Sequence, residues 1–333
     1  MKATWVAVAA VAFAIGGAAP MAGAAEIRLA EQFSMGYLQF NVMKRDKLVE
    51  KYATQRGLKD FKVSWQRFNG PAAMNEALLS NSTDIVTGGV PGLITLWDKT
   101  KGTSFEVKGI CALSSQPFLL NTSNPAITSI RDFSERDRIA VPSIKVSVQA
   151  VVLQMAVAAA FGEENYAKLD QLTVSMSPPD ATIALLSGAG IISAAFSVPP
   201  FQFQQLEQKN IHTVLSSFDA IGPHSFTVAW TSARFRNNNP ELYAAFLDAM
   251  KEATAVVSAN PQQTAQTWIN DTNSKLPVEM VTKVLTGPNV EWTMTPSAIM
   301  KFAKFMRKVG TTKHEPKSWK DLFFPEIGDL NGS

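Results

Sequence analysis

One cysteine, Cys111, in 333 residues rules out an intrachain disulfide, so the fold has to be held by packed cores. It stands in the uncharged, mostly apolar stretch Gly109–Leu113 and is expected to be a buried core thiol. Histidine is nearly as scarce. His212, His224 and His314 lie far apart, and none has metal-ligand spacing. Charge of either sign is not in excess, with 31 Lys and Arg against 28 Asp and Glu and a formal net charge of +3. The basic residues are scattered rather than gathered into a stripe, which argues against nucleic acid as a partner. Catalytic signatures are also missing: there is no G-x-S-x-G elbow, no phosphate loop ending in G-K-[ST], and no G-x-G-x-x-G after a strand. Glu163-Glu164 reads as surface charge. Neither enzyme chemistry, nor a cofactor, nor a bound metal is expected.

Long apolar runs are absent beyond the amino terminus. There, Lys2 precedes an uninterrupted apolar run from Trp5 to Ile15, Gly16, Gly17 and Pro20 break any helix, and Ala22-Gly23-Ala24 offers small residues for cleavage. That order is the pattern of a secretory signal over residues 1–24, too short for a span of about 20 residues. No cysteine stands near the cleavage site, so the mature chain is expected to be released near Ala25 or Glu26 as a soluble periplasmic protein. Export without disulfides fits a bacterial envelope.

What is present is one unit used repeatedly. Phe61–Trp65 alternates as a strand, then Asn69-Gly70-Pro71 leads into a helix over Ala72–Ser80. Asp84–Thr87 ends in Gly88-Gly89-Val90-Pro91 and the helix Gly92–Lys99. Arg138–Val141 runs through Pro142-Ser143 into a helix over Ser147–Phe161. Leu172–Ser175 precedes Pro178-Pro179-Asp180 and the helix Ala181–Ser187, and Ile191–Ala195 precedes Val198-Pro199-Pro200 and the helix Phe201–Gln208. Proline is favoured in a first helical turn, where its missing N–H costs nothing. The alternation predicts an α/β protein with largely parallel sheets, whose ligands bind beyond the strand ends where helix amino termini converge. Such termini carry free N–H groups and a partial positive charge, which suits an anion. Any single loop of this kind is also ordinary architecture.

Two lobes are expected. The first runs over 25–118, the second over 119–219, and 220–333 returns the chain to the first lobe and ends in helices. The polar stretch Asn121–Pro125 and the passage Ser216–Ser225 mark the places where the chain changes lobe. Glu241–Ser258, Pro261–Asn270 and Ile299–Val309 have helical periodicity, with Phe302, Phe305 and Met306 as core positions.

Taken in order, a further set of residues carries a family likeness. Ile27-Arg28-Leu29 enters Met35-Gly36-Tyr37, Phe68–Pro71 is followed by Ala77-Leu78, and Asp84-Ile85 by Gly88–Pro91. Asp132-Phe133 leads to Ile139–Ser143, Leu185–Gly188 precedes Ala194–Phe196, and Asn239-Pro240-Glu241 follows. In this the chain resembles the periplasmic binding proteins of importers for nitrate, taurine and aliphatic sulfonates, a branch that also resembles the yeast thiamine-pyrimidine synthase. The resemblance covers nearly all of the mature chain. It implies a type II periplasmic binding fold, two α/β lobes with a ligand cleft between them, working as a monomer with an ABC permease and ATPase.

By the same resemblance the ligand site draws on Gly36 and Tyr37, Asn69 and Gly70, and Gly89 and Val90 from the first lobe. From the second it draws on Ser143, Ser147, Val148, Phe196 and Ser197, with His224 where the returning crossover faces the cleft. Gly70 and Gly89 let backbone N–H groups reach an oxyanion, and Ser143 and Ser147 offer hydroxyls. Lys145 is either a point charge for the ligand or a solvent-facing lysine. Tyr37 and Phe196 either wall the ligand or pack between layers, and His224 either senses charge or makes a structural hydrogen bond.

The sequence departs from the family in two respects. The loop Glu31–Asn41 is rich in Phe, Tyr and Met where many relatives are small and polar. No acidic residue in these loops offers a partner for an amino group, Asp180 being the nearest. Together these favour an organic anion with an apolar body, an alkyl or aryl sulfonate or carboxylate, over taurine or nitrate. The His and Cys constellation of the yeast enzyme is lacking. A receptor feeding an importer is the leading reading, and a sensor signalling to a membrane partner is the alternative.

Overall fold

The computed structural model describes residues 25–333, so the segment 1–24, expected to be a secretory signal, lies outside the described residues. Along the chain, β1 (Ala25–Gln32), α1 (Leu38–Asp46), α2 (Leu48–Gln55), β2 (Phe61–Phe68), α3 (Pro71–Leu79), β3 (Ile85–Gly88), α4 (Val90–Thr100) and β4 (Val107–Ser115) come first. Next are β5 (Leu119–Thr122), β6 (Ile139–Val141), α5 (Val148–Phe161), β7 (Thr173–Ser175), α6 (Pro178–Leu186), β8 (Ala194–Ser197), α7 (Phe201–Leu206), β9 (His212–Ser216) and α8 (Ser217–Ile221). The chain closes with β10 (Ser225–Ser232), α9 (Ala233–Asn238), α10 (Pro240–Ala259), α11 (Pro261–Thr272), α12 (Val278–Leu285), β11 (Glu291–Trp292) and α13 (Ile299–Lys308).

The strands form two sheets, ordered β11-β4-β10-β3-β1-β2 and β7-β6-β8-β5-β9. Each has the same plan. Three strands linked by helices are parallel, β2-β1-β3 in the first sheet and β7-β6-β8 in the second. The fourth place goes to a strand that has just crossed from the other sheet, β10 or β5, and it runs antiparallel to its neighbours. The sheets are therefore mixed rather than largely parallel.

Proline stands in the first turn of α3, α4 and α6, as the repeated unit predicts, and also of α10 and α11. By contrast, α5 starts at Val148, well after Pro142, and Pro200 is the residue before α7. The strand expected from Ile191 begins instead at Ala194, because Gly188 and Gly190 take left-handed backbone angles and carry the chain round a turn first. Period two is visible in the second sheet. Ile139, Val141, Ala194 and Phe196 join the main core, while the intervening Ala140 and Ala195 face a smaller core with Ala181, Leu185 and Ile211. In α10, Leu242, Tyr243, Ala245, Phe246, Ala249, Met250 and Ala253 form the buried stripe, packed on α1 and α2. Cys111 is buried in β4, and burial pushes its thiol pKa up. Among the described residues no helix is long and apolar enough to cross a membrane.

Candidate functional site

Two crossovers join the sheets and lie side by side. Gln116-Pro117-Phe118 links β4 to β5, and α8 with Gly222-Pro223-His224 links β9 to β10. The Ser217 amide donates to the Phe118 carbonyl at 2.9 Å, and the Phe118 amide donates to Ser217 Oγ at 3.1 Å. His224 is fully buried between aromatic rings. Phe118 stacks on it at 5.5 Å, Phe302 at 5.6 Å, and Phe218 meets it edge-on at 5.2 Å. Neither ring nitrogen has a hydrogen-bond partner, and burial, with Lys301 adding to it, pushes the imidazole pKa down to about 3. His224 is thus a neutral element of the hinge. It makes no structural hydrogen bond and lines neither chamber of the cleft described next.

The helix starts of the two lobes meet across a cleft. A Cβ added at Gly70 would lie 2.5 Å from the Pro142 carbonyl oxygen and 2.6 Å from Ser143 Oγ. One added at Gly89 would lie 2.6 Å from Val148 Cβ. The backbone of α3 and α4 therefore reaches the start of α5 only because these two positions carry no side chain. The Ala72 amide donates to Ser143 Oγ at 3.4 Å, and the Met35 amide and Ser34 Oγ donate to the Pro199 carbonyl at 2.9 and 3.1 Å. With the lobes so joined, the inner chamber measures about 20 Å³. That is room for about one water molecule.

Tyr37, Gly89, Ser147 and Val148 line this chamber. Burial, then the nearby Glu31, pushes the Tyr37 hydroxyl pKa up, so it stays a neutral phenol. Ser147 Oγ is already engaged, accepting from the Ala150 amide at 3.3 Å and donating to the Ser143 carbonyl at 2.8 Å. Gly36 lies beneath Phe226, its amide donating to Ser34 Oγ and its carbonyl accepting from Thr227 Oγ1. Val90 is a core residue of α4, and Phe196 packs on Phe118 with ring centres 5.1 Å apart. Ser197 is buried with its hydroxyl unpaired, and Asn69 is exposed. Lys145 points to solvent, and Asp180 accepts a hydrogen bond from Ser177 Oγ at the start of α6.

Sequence reasoning missed Gln32, Ser34, Gln149 and Phe226, which also line the inner chamber. Their only signal is position, at the end of β1, just inside α5 and early in β10. A second, larger chamber of about 380 Å³ continues from the first, sharing Gln32, Phe33 and Ser34. Its wall includes Glu31, which accepts from Lys44 Nζ at 2.8 Å and Arg67 Nη2 at 2.6 Å. Asp271 accepts from Asn41 at 2.6 Å and Lys44 at 3.1 Å. Both carboxylates are thus paired with cations of the same lobe.

With this geometry in view, solved structures of like fold are informative. The alkanesulfonate-binding protein SsuA of Xanthomonas axonopodis pv. citri, bound to MOPS, is similar with a TM-score of 0.69 at 16% identity, over 87% of this chain and 95% of that one. The periplasmic aliphatic sulphonate binding protein SsuA of Escherichia coli gives 0.63 at 17%, over 90% and 98%. The periplasmic nitrate-binding protein NrtA of Synechocystis PCC 6803 gives 0.68 at 14%, over 89% and 83%. At such identities the likeness is one of fold, and the fold is that of the periplasmic binding proteins. No curated protein matches the chain. The model of the NMT1-like family matches residues 20–270, most of the sequence. The chain belongs to the NMT1-like family.

Proposed function

We propose that the protein is the solute-binding component of an ABC importer, which captures a small organic anion by lobe closure and passes it to a membrane permease driven by an ATPase. The observation that carries this is the meeting of helix starts from both lobes, Gly70 against Ser143 and Gly89 against Val148. Pro71, Gly89, Val148 and Gln149, at the starts of α3, α4 and α5, line one chamber, and the partial positive charge of helix amino termini favours an oxyanion there. A ligand bridging them contacts both lobes only when the lobes are closed, and that differential contact is what drives closure. The solved structures of like fold include binding proteins for alkanesulfonate and nitrate, which supports an anion as the cargo. In this reading residues 1–24 direct export, 25–118 with 220–333 form one lobe, and 119–219 form the other.

The test is a thermal-shift screen of protein refolded to strip any carried-over ligand, against sulfonates, carboxylates, nitrate and amino acids. A ligand at about 100 times its dissociation constant adds about 2.7 kcal/mol of stability, readily read as a raised midpoint. A rise with one class of anion supports the proposal. A rise with neutral or cationic compounds alone overturns it.

A further inference from the structure

The two chambers of the cleft differ in what they can hold. The inner one, at the helix starts, has room for about a water molecule, whereas the outer one, at about 380 Å³, falls within the range of small-molecule sites. Three loops line both in succession. Residues Gln32 to Ser34 belong to both, Pro178 lines the inner and Pro179 the outer, and Val198 is followed by Pro200 and Phe201. A molecule whose anionic group lies at the mouth of the inner chamber, beside the helix starts, therefore has its remaining atoms in the outer one. Phe33, Phe201 and Trp268 line that chamber, supplied by β1's end, by α7 and by α11.

Resting on the receptor reading, we propose that the cargo is an aromatic anion whose ring lies between Phe33, Phe201 and Trp268. Aromatic side chains from both lobes then close on a planar body, and each well-placed aromatic contact adds about 0.5–1.5 kcal/mol, up to about a tenfold gain in affinity. The wall chooses anion over cation. Glu31 is neutralised by Lys44 and Arg67, Arg67 also lies over the Phe33 ring at 5.5 Å, and Lys275 stands exposed at the rim. Three aromatic side chains would otherwise suit a quaternary ammonium. Here the free charge at the rim is positive.

Isothermal titration with 4-toluenesulfonate, methanesulfonate and choline tests this. The expected result is 4-toluenesulfonate bound about a hundredfold more tightly than methanesulfonate, the gain of burying a ring, and choline not bound. Phe201→Ala in one lobe and Phe33→Leu in the other each weaken 4-toluenesulfonate about tenfold, with the ligand-free melting midpoint showing that each variant is folded. Equal affinity for the two sulfonates, or variants that bind 4-toluenesulfonate as the parent does, overturns the aromatic assignment and leaves the anion receptor standing. Binding of choline alone overturns both, and binding of none of the three overturns the aromatic assignment.

Discussion

The hinge and the cleft are both places where the two lobes touch, yet they are built from opposite materials. At the hinge, Phe118, Phe218 and Phe302 enclose His224 and leave its ring nitrogens without partners. At the cleft, glycine, serine and proline bring backbone groups together around a chamber the size of a water molecule. A contact that must persist through every opening and closing is filled with large apolar rings. One that must part to admit a ligand is made by small side chains and helix ends. The difference explains why the polar atom left unsatisfied at the hinge is tolerated as a neutral group, while the helix ends at the cleft keep their capacity for an anion.

The comparison can be broken most forcefully at Gly70. Gly70→Val places a side chain against the Pro142 carbonyl and should hold the lobes apart. Affinity for the anion identified in the screen should fall at least about 100-fold, some 2.7 kcal/mol, while the ligand-free melting midpoint stays near that of the parent. Unchanged affinity by titration calorimetry would show that the closed contact is not part of binding.

The hinge half is sharpened by pH. His224 is held well below its ordinary pKa of 6.5, at about 3, so the unfolded chain takes up a proton that the native state refuses. Its contribution to stability is complete above about pH 6.5 and declines as pH falls towards 3, by about 1.4 kcal/mol per pH unit. Urea midpoints between pH 6.5 and 5 should show this slope in the parent and lose that part of it in His224→Phe. An identical slope in both would mean that the histidine is hydrated.

Ser147→Ala removes a helix cap and should cost about 1 kcal/mol in urea denaturation. A loss in ligand affinity larger than that cost would show that the hydroxyl leaves Ser143 and Ala150 for the ligand. Least affected should be Ser197→Ala, which removes a buried hydroxyl with no partner and should change stability by under about 0.5 kcal/mol in either direction. A clear destabilisation would reveal a hydrogen bond that forms only when the lobes open.

The helix starts were legible because proline and glycine leave local marks: Pro71, Pro91 and Pro178 fix first turns wherever they occur. The antiparallel strands were not. Ser225–Ser232 is buried throughout, so it shows no alternation, and its direction depends on a crossover that no local pattern encodes. The same limit applies to the site. Gly89 and Val148 share the inner chamber, but Val90, one residue from Gly89, belongs to the core, and facing is a matter of helix rotation. Phe196 shows the ambiguity of an aromatic at a strand end, since it packs at the hinge against Phe118. His224 was placed near the right junction, and its solitude among rings is a tertiary fact.

The paired sheets carry a consequence for the order in which the molecule is assembled. All five strands of the second sheet lie in one unbroken stretch from Leu119 to Ser216, whereas the first must wait for β10, which separates β3 from β4. A chain that emerges amino end first can therefore complete its inner lobe while its outer lobe still presents a bare strand edge. Until Ser225–Ser232 arrives, β3 and β4 have no shared neighbour, and the half-made sheet is the part most exposed to misassociation.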